Sequence, residues 1–184
     1  MRKIIKTTFL FVILSLLICA SCFAKTIRSN DGRFCFTTSD AWYLTSLGGD
    51  AYTAEIISVA YDKDTAVSVK QSKFAVGFRE FRNCTYAQKS TFRDSFIGTT
   101  TAALRNSGFD VKINNTDILD NVIVVSYHLF KGGRKYHLFE SYVVKNYVCY
   151  SIILLASEYT VKEAIEVMYN GLTIDGVTYP NWIK

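Results

Sequence analysis

The chain has 184 residues, 49% hydrophobic and 15% aromatic, enough to bury one real core and too apolar for an intrinsically disordered protein. Its formal charge of +5 falls to about +2 once Arg2, Lys3 and Lys6 of the N-terminal segment are set aside. That balance, with no basic stripe interleaved with aromatics, argues against a nucleic-acid partner; Lys70, Lys73, Arg79 and Arg82 are scattered cations that read as a solvated face.

Residues 1–24 form the most specific signal. Arg2, Lys3 and Lys6 are a basic leader, Phe9 to Ala20 is an apolar run broken only by Ser15, and Cys22-Phe23-Ala24 sets small residues at the third and first positions before Lys25. This predicts a secretory signal peptide cleaved between Ala24 and Lys25, with a single domain over 25–184 and an extracytoplasmic location: periplasm, outer envelope or secreted. Two alternatives stay open. Thr7 to Ala24 is marginally long enough for a retained membrane anchor. Cys19-Ala20-Ser21-Cys22 resembles a bacterial lipobox in its last three positions, with Cys19 where Leu is usual, which makes Cys22 a candidate lipidation site. The membrane is therefore expected as a partner only through this segment or a lipid.

Asp31-Gly32 is a turn before a short strand, Arg33 to Thr37, and Trp42 follows a polar turn. Trp42 has two readings, a core plug beside that strand or a ligand-stacking ring. Tyr52 to Tyr61 and Thr65 to Lys70 are the arms of a hairpin around Asp62-Lys63-Asp64, the first arm small and apolar on both sides as a doubly covered strand requires. Lys73 to Thr85 fits either a strand end or a short helix. A helix is predicted from an N-cap at Ser90 to Asn106, with Phe92, Phe96, Ala103, Ile97 and Leu104 on its apolar stripe, weakened at Gly98-Thr99-Thr100-Thr101 and closed by Gly108. Phe109 to Asn114 is a further strand.

Three strands then follow closely: Asn121 to Phe130, Arg134 to Val144 and Tyr147 to Leu155, joined by turns at Gly132-Gly133 and Lys145-Asn146. β-branched and aromatic residues dominate, and the third strand is apolar on both faces, so this antiparallel meander is the predicted stability core. A closing helix starts at Thr160, whose spacing to Glu163 fits a capping box. It turns Val161, Ala164, Ile165, Met168 and Tyr169 onto the sheet and stops at Gly171, leaving Leu172 to Lys184 as a tail pinned by Trp182 and Ile183.

The order is strand, Trp turn, hairpin, long helix, meander, closing helix: an α+β protein with a mainly antiparallel sheet packed by two helices. The pieces that carry a likeness are Phe34-Cys-Phe36 followed by Trp42, the helix to Asn106, Gly132-Gly133, Tyr142, Tyr147-Val-Cys-Tyr150, and Ser157 before the last helix. In these the chain resembles the PsbP/DcrB-like superfamily of small extracytoplasmic proteins, often lipoproteins. It departs from that pattern in having Thr38-Ser39-Asp40 where a proline usually precedes the Trp. The resemblance implies a sheet between helices and a non-catalytic accessory or binding module, and it assigns no functional residue.

The residues themselves offer little chemistry. His128 and His137, the only histidines, fall on adjacent strands; register decides whether they share a face. A metal site needs three or four ligands, and the nearest extra candidate is Glu140, so neither a metal nor another cofactor is expected. Among the cysteines after Ala24, Cys149 reads as core. Cys35 with Cys84 is the candidate disulfide in a compartment that permits one; three free thiols is the equal alternative. Trp42, Tyr136 and His137 are the candidate binding surface. The function expected is an exported, non-catalytic accessory or binding protein of the cell envelope, its partner an envelope protein or small ligand. An envelope enzyme, which should show a convergent polar pocket, and a membrane-anchored structural protein, which should retain residues 1–24, are the alternatives.

Overall fold

The computed structural model describes residues 25–184; the expectations at Cys22 and Ala24 lie outside them. Two antiparallel sheets form the frame. The larger has seven strands: β3 (Tyr43–Gly48), β4 (Thr53–Asp62), β5 (Thr65–Ala75), β6 (Asp110–Ile118), β7 (Val122–Lys131), β8 (Arg134–Lys145) and β9 (Val148–Ser157), in the order β3-β4-β5-β9-β8-β7-β6. The smaller joins β1 (Lys25–Arg28), β2 (Phe34–Thr38), β10 (Leu172–Ile174) and β11 (Val177–Thr178), in the order β1-β2-β10-β11.

Side chains alternate cleanly across the large sheet. Val122, Val143, Tyr150, Ile152 and Leu154 face one way, into a core completed by Ile27, Phe34, Phe36, Leu172 and Ile174 of the small sheet. Ile123, Val125, Tyr127, Leu129, Tyr142 and Cys149 face the other way. There Phe92, Phe96, Ile97 and Leu104 of the long helix α1 (Tyr86–Asn106) pack on them. The two helices predicted to cover the meander thus take opposite faces. On the small-sheet side lie α2 (Val161–Glu166), a π-helical turn (Val167–Gly171) that continues it, and α3 (Tyr179–Trp182). No helix among the described residues is long and apolar enough to cross a membrane.

Several local expectations are corrected. The N-cap of helix α1 is Thr85, five residues before Ser90, because Thr85 and Gln88 form a reciprocal capping box there. Ala103 lies exposed rather than on the packed stripe. The Thr160–Glu163 box does not form: the Thr160 hydroxyl bonds instead to Ser157 at 2.7 Å and Thr65 at 2.5 Å, tying the helix start to β9 and β5. Gly171 is not a left-handed cap; it is glycine because a β-carbon there would run into the Thr37 carbonyl, where the π turn crosses β2. The last meander turn is Asn146-Tyr147, both at positive φ, one residue later than Lys145-Asn146.

The largest correction is the tail. Trp182 and Ile183 do pin it to the core, but Leu172 to Trp182 is a hairpin and a helical turn rather than an irregular end. β10 pairs with β2 through Leu172–Phe36 and Ile174–Phe34, and Asp175-Gly176, both at positive φ, turn it into β11. Arg33 locks this sheet to the large one. Its guanidinium bonds to Asp175 at 2.8 and 3.2 Å, to the Gln71 side chain at 2.9 Å and to the Tyr150 hydroxyl at 2.8 Å. The pairing with Arg33 holds the Asp175 carboxyl below its ordinary range.

Candidate functional site

Strand pairing decides what the candidate residues can do together. His128 and His137 sit directly opposite each other on β7 and β8, so they share a face, with ring centroids 5.0 Å apart and the rings edge to face. Lys112 of β6 is the cross-strand partner of His128 on its other side, which makes a row Lys112–His128–His137 across three strands. The next row on this face is Ser126, Phe139 and Leu154. Asn114, on the β6 bulge, donates its side-chain amide to the Ser126 hydroxyl at 3.3 Å.

The small sheet does not reach this corner. Instead Val161, Ile165, Met168 and Tyr169 overhang it, and the space between roof and sheet is a pocket of about 190 Å³. Its roof is unusual for a packed helix: Met168 is buried, but Ile165 and Tyr169 remain 44% and 38% exposed. The floor is apolar at Phe139 and Leu154, and beside them stand four polar side chains: His128, His137, Ser126 and Asn114. Burial lowers both imidazoles below their ordinary value, and Lys135 adds to it; Lys112 acts further on His128, and His128 on His137. At neutral pH both rings are therefore neutral and can each donate one hydrogen bond and accept another. Apolar walls with a few convergent polar groups are the usual build of a small-ligand site.

The three residues expected to form one binding surface do not. Only His137 enters this pocket. Tyr136, its neighbour in the chain, points through the opposite face and packs edge-on against Phe109. Trp42 is 2% exposed and plugs the core beside the start of β3, leaning on Tyr61, so the core reading holds. A wider and more open hollow of about 510 Å³ runs past its edge, between Thr37–Ser39 and Glu163–Glu166. Cys35, Cys84 and Cys149 are all free. Phe34 and Phe36 face the core, so Cys35 between them faces outward from the small sheet, whereas Cys84 follows Phe81 in the core beneath α1; the large sheet separates the expected pair. Cys149 is buried, and its thiol is pushed up to about 12.

Glu140 cannot join the histidines, because it lies on the α1 face. It is 4% exposed and accepts hydrogen bonds on both oxygens from the Thr100 hydroxyl, at 3.1 and 3.2 Å. Burial raises its carboxyl above the ordinary range, and the carboxylate's charge adds to the burial that raises Tyr127 and Tyr142. A carboxyl raised in this way holds its proton more tightly folded than unfolded. Its contribution is therefore greatest below the ordinary carboxyl value of 4.5 and is lost as pH rises from there through the raised native value. Glu140→Gln should consequently gain stability relative to wild type between pH 4.5 and pH 8, read as the difference in urea midpoints. An equal difference at both pH values would show that Glu140 ionises as if in water.

Sequence reasoning missed the rest of the pocket, Asn114, Ser126, Phe139, Ile165, Met168 and Tyr169 among its lining, and Lys112 beside it. The signal was present in part, since counting outward from the two-residue Gly132-Gly133 turn opposes Lys131 to Arg134 and, three residues on, His128 to His137.

No family model and no curated protein matches the chain. Among solved structures it is similar to cyanobacterial PsbP (CyanoP) from Synechocystis sp. PCC 6803, with a TM-score of 0.57 and 12% identity over 83% of this chain and 92% of that one. A crystal structure from Bacteroides thetaiotaomicron VPI-5482 aligns at a TM-score of 0.45 and 11% identity, over 82% of this chain and 48% of the other. The fold is PsbP-like.

Proposed function

We propose that this chain, PsbP-like in fold, is an exported, non-catalytic binding protein of the cell envelope, and that its ligand site is the pocket over the His128–His137 pair. The observation that carries this reading is that pocket's construction: a half-exposed helical roof over a floor that sets a few polar side chains, the two imidazoles foremost, beside apolar ones. Nothing around it resembles an activated nucleophile. The free thiol nearest to a core is Cys149, buried on the other face and held protonated. Export is supported by the composition of residues 1–24, a basic leader, an apolar run and small residues before Lys25. A lipid on Cys22 would tether the same domain to a membrane surface without changing the pocket.

The test is a small-molecule screen by NMR on the purified protein and on Ser126→Phe. The substitution puts a ring where only a hydroxyl stands on the pocket floor. Hits that shift His128 and His137 in the wild type and lose at least about tenfold in affinity in Ser126→Phe would support the site, a loss of roughly 1.4 kcal/mol. Hits that bind both proteins alike, or none that touch these rings, would remove it. The intact mass of protein recovered from the envelope tests export in parallel: a chain beginning at Lys25, or at acylated Cys22, is expected, and an intact Met1 would contradict it.

A further inference from the structure

Three features of the pocket narrow what fits it. The first is size. About 190 Å³ is somewhat more than the ~150 Å³ cavity that holds a benzene ring, so the body of the ligand is a single ring or a short branched chain, with room for one small substituent. The second is polarity: the sheet contributes two neighbouring imidazoles, Ser126 and Asn114, and the rest of the lining, Met168, Leu154 and Phe139 among it, is mainly apolar. The third is the sign of the charge beside the histidines.

Apart from Glu158, the charges that act on the two imidazoles are positive. On the sheet, Lys112 flanks His128 directly across the β6–β7 pairing, and no carboxylate is within ion-pair distance of it among the described residues. On β8, Lys135 is two residues from His137 on the same face, and its ammonium is shared with Glu158 at 3.5 Å, the one acid that acts on both imidazoles. From the roof, the side chains facing the rings are Val161, Ile165, Met168 and Tyr169, none of them acidic. A protonated ligand amine would find an acceptor nitrogen on an imidazole but would be repelled by the lysines that flank the pair. A carboxylate would meet two ring N–H donors and an unpaired ammonium, and charge-assisted bonds of this kind are about twice as strong as neutral ones.

Resting on the reading of this pocket as the ligand site, we propose that it takes a small monocarboxylate with a benzene-sized apolar body. The ring or alkyl group lies on Phe139 and Leu154 under Met168, and the carboxylate is held by His128 and His137 with Lys112 beside them. Binding is then linked to protons. Each imidazole is neutral in the free protein and gains an anionic partner in the complex, so its proton affinity rises on binding. The complex takes up protons, and affinity increases as pH falls from 8 towards 6, a range in which a carboxylate with an ordinary value near 4 stays ionised.

Benzoate, benzyl alcohol and benzylamine share one ring and differ at the substituent, so titrating each into the purified protein at pH 6 and pH 8, followed by the imidazole resonances, separates the outcomes. Benzoate is expected to bind at least about tenfold tighter than benzyl alcohol at pH 6, to weaken by about threefold or more at pH 8, and benzylamine not to bind. Lys112→Gln, a change at an exposed position, should bring benzoate towards benzyl alcohol and leave benzyl alcohol unchanged. If benzyl alcohol occupies the pocket as well as benzoate does, or benzoate affinity is the same at both pH values, or Lys112→Gln binds benzoate as wild type does, the carboxylate assignment falls while the pocket remains the ligand site. If none of the three shifts either histidine, this assignment falls, and the Ser126→Phe comparison decides the broader reading independently.

Discussion

Trp182→Ala is expected to lose about 3–5 kcal/mol of stability, a large share of what a domain of this size has. Trp182 is the third-last residue of the sequence, in a region where substitutions are usually harmless. Here the ring is 5% exposed, packs edge-on against Tyr150 at 5.0 Å, and carries the Lys145 ammonium 4.1 Å over its face. Lys145 also donates to the Trp182 carbonyl, and burial lowers its own proton affinity. Removing the indole thus opens a cavity where α3, β9 and the small sheet meet and strips a partly buried cation of its aromatic partner. Urea unfolding read by far-UV circular dichroism checks it. A midpoint equal to that of wild type would mean that the segment from Leu172 onward is a tail after all.

Ile152→Ala should cost about 2–5 kcal/mol. Ile152 is fully buried on β9, between Val69 of β5 and Ser141 of β8, with the small sheet above it. No neighbouring loop can collapse into the space, since both flanking strands are held by continuous ladders. The exposed Lys162→Ala on α2 should change stability by less than about 0.5 kcal/mol. Unchanged urea midpoints for Ile152→Ala would displace β9 from the centre of the fold.

The paired polar residues of α1 show how far a local pattern can mislead. Gly98-Thr99-Thr100-Thr101 lowers helix propensity in the middle of the longest helix, and by sequence it is only a weak turn. In the fold, the Thr100 hydroxyl reaches down from α1 to hydrogen-bond the buried Glu140 carboxyl, a group costly to bury without partners. Half of that pair is visible as an odd threonine and half as an acid on an apolar strand. Nothing in either stretch says they meet, because they are forty residues apart and belong to different element types.

By itself, the sequence determined β2, both arms of the β4–β5 hairpin, β6, the meander with its Gly132-Gly133 turn, the long helix up to its Gly108 stop, and the two-sided burial of β4 and β9. Each of these rests on period-two or helical alternation and on turn chemistry, which act within about ten residues. It also held the cues for the β10–β11 hairpin, in Asp175-Gly176 between Ile174 and Val177, although a run of three residues is too short for alternation to declare a strand. Only the tertiary structure decided that β2 and β10 pair across more than 130 residues into a second sheet, that the two helices cover opposite faces, and that Cys35 and Cys84 stand on different sides of the large sheet. It alone brought Lys112, His128 and His137 into one row under Ile165 and Tyr169. These are consequences of strand order and layer packing, which depend on the combined burial of residues far apart in the chain and leave no trace in any single stretch of it.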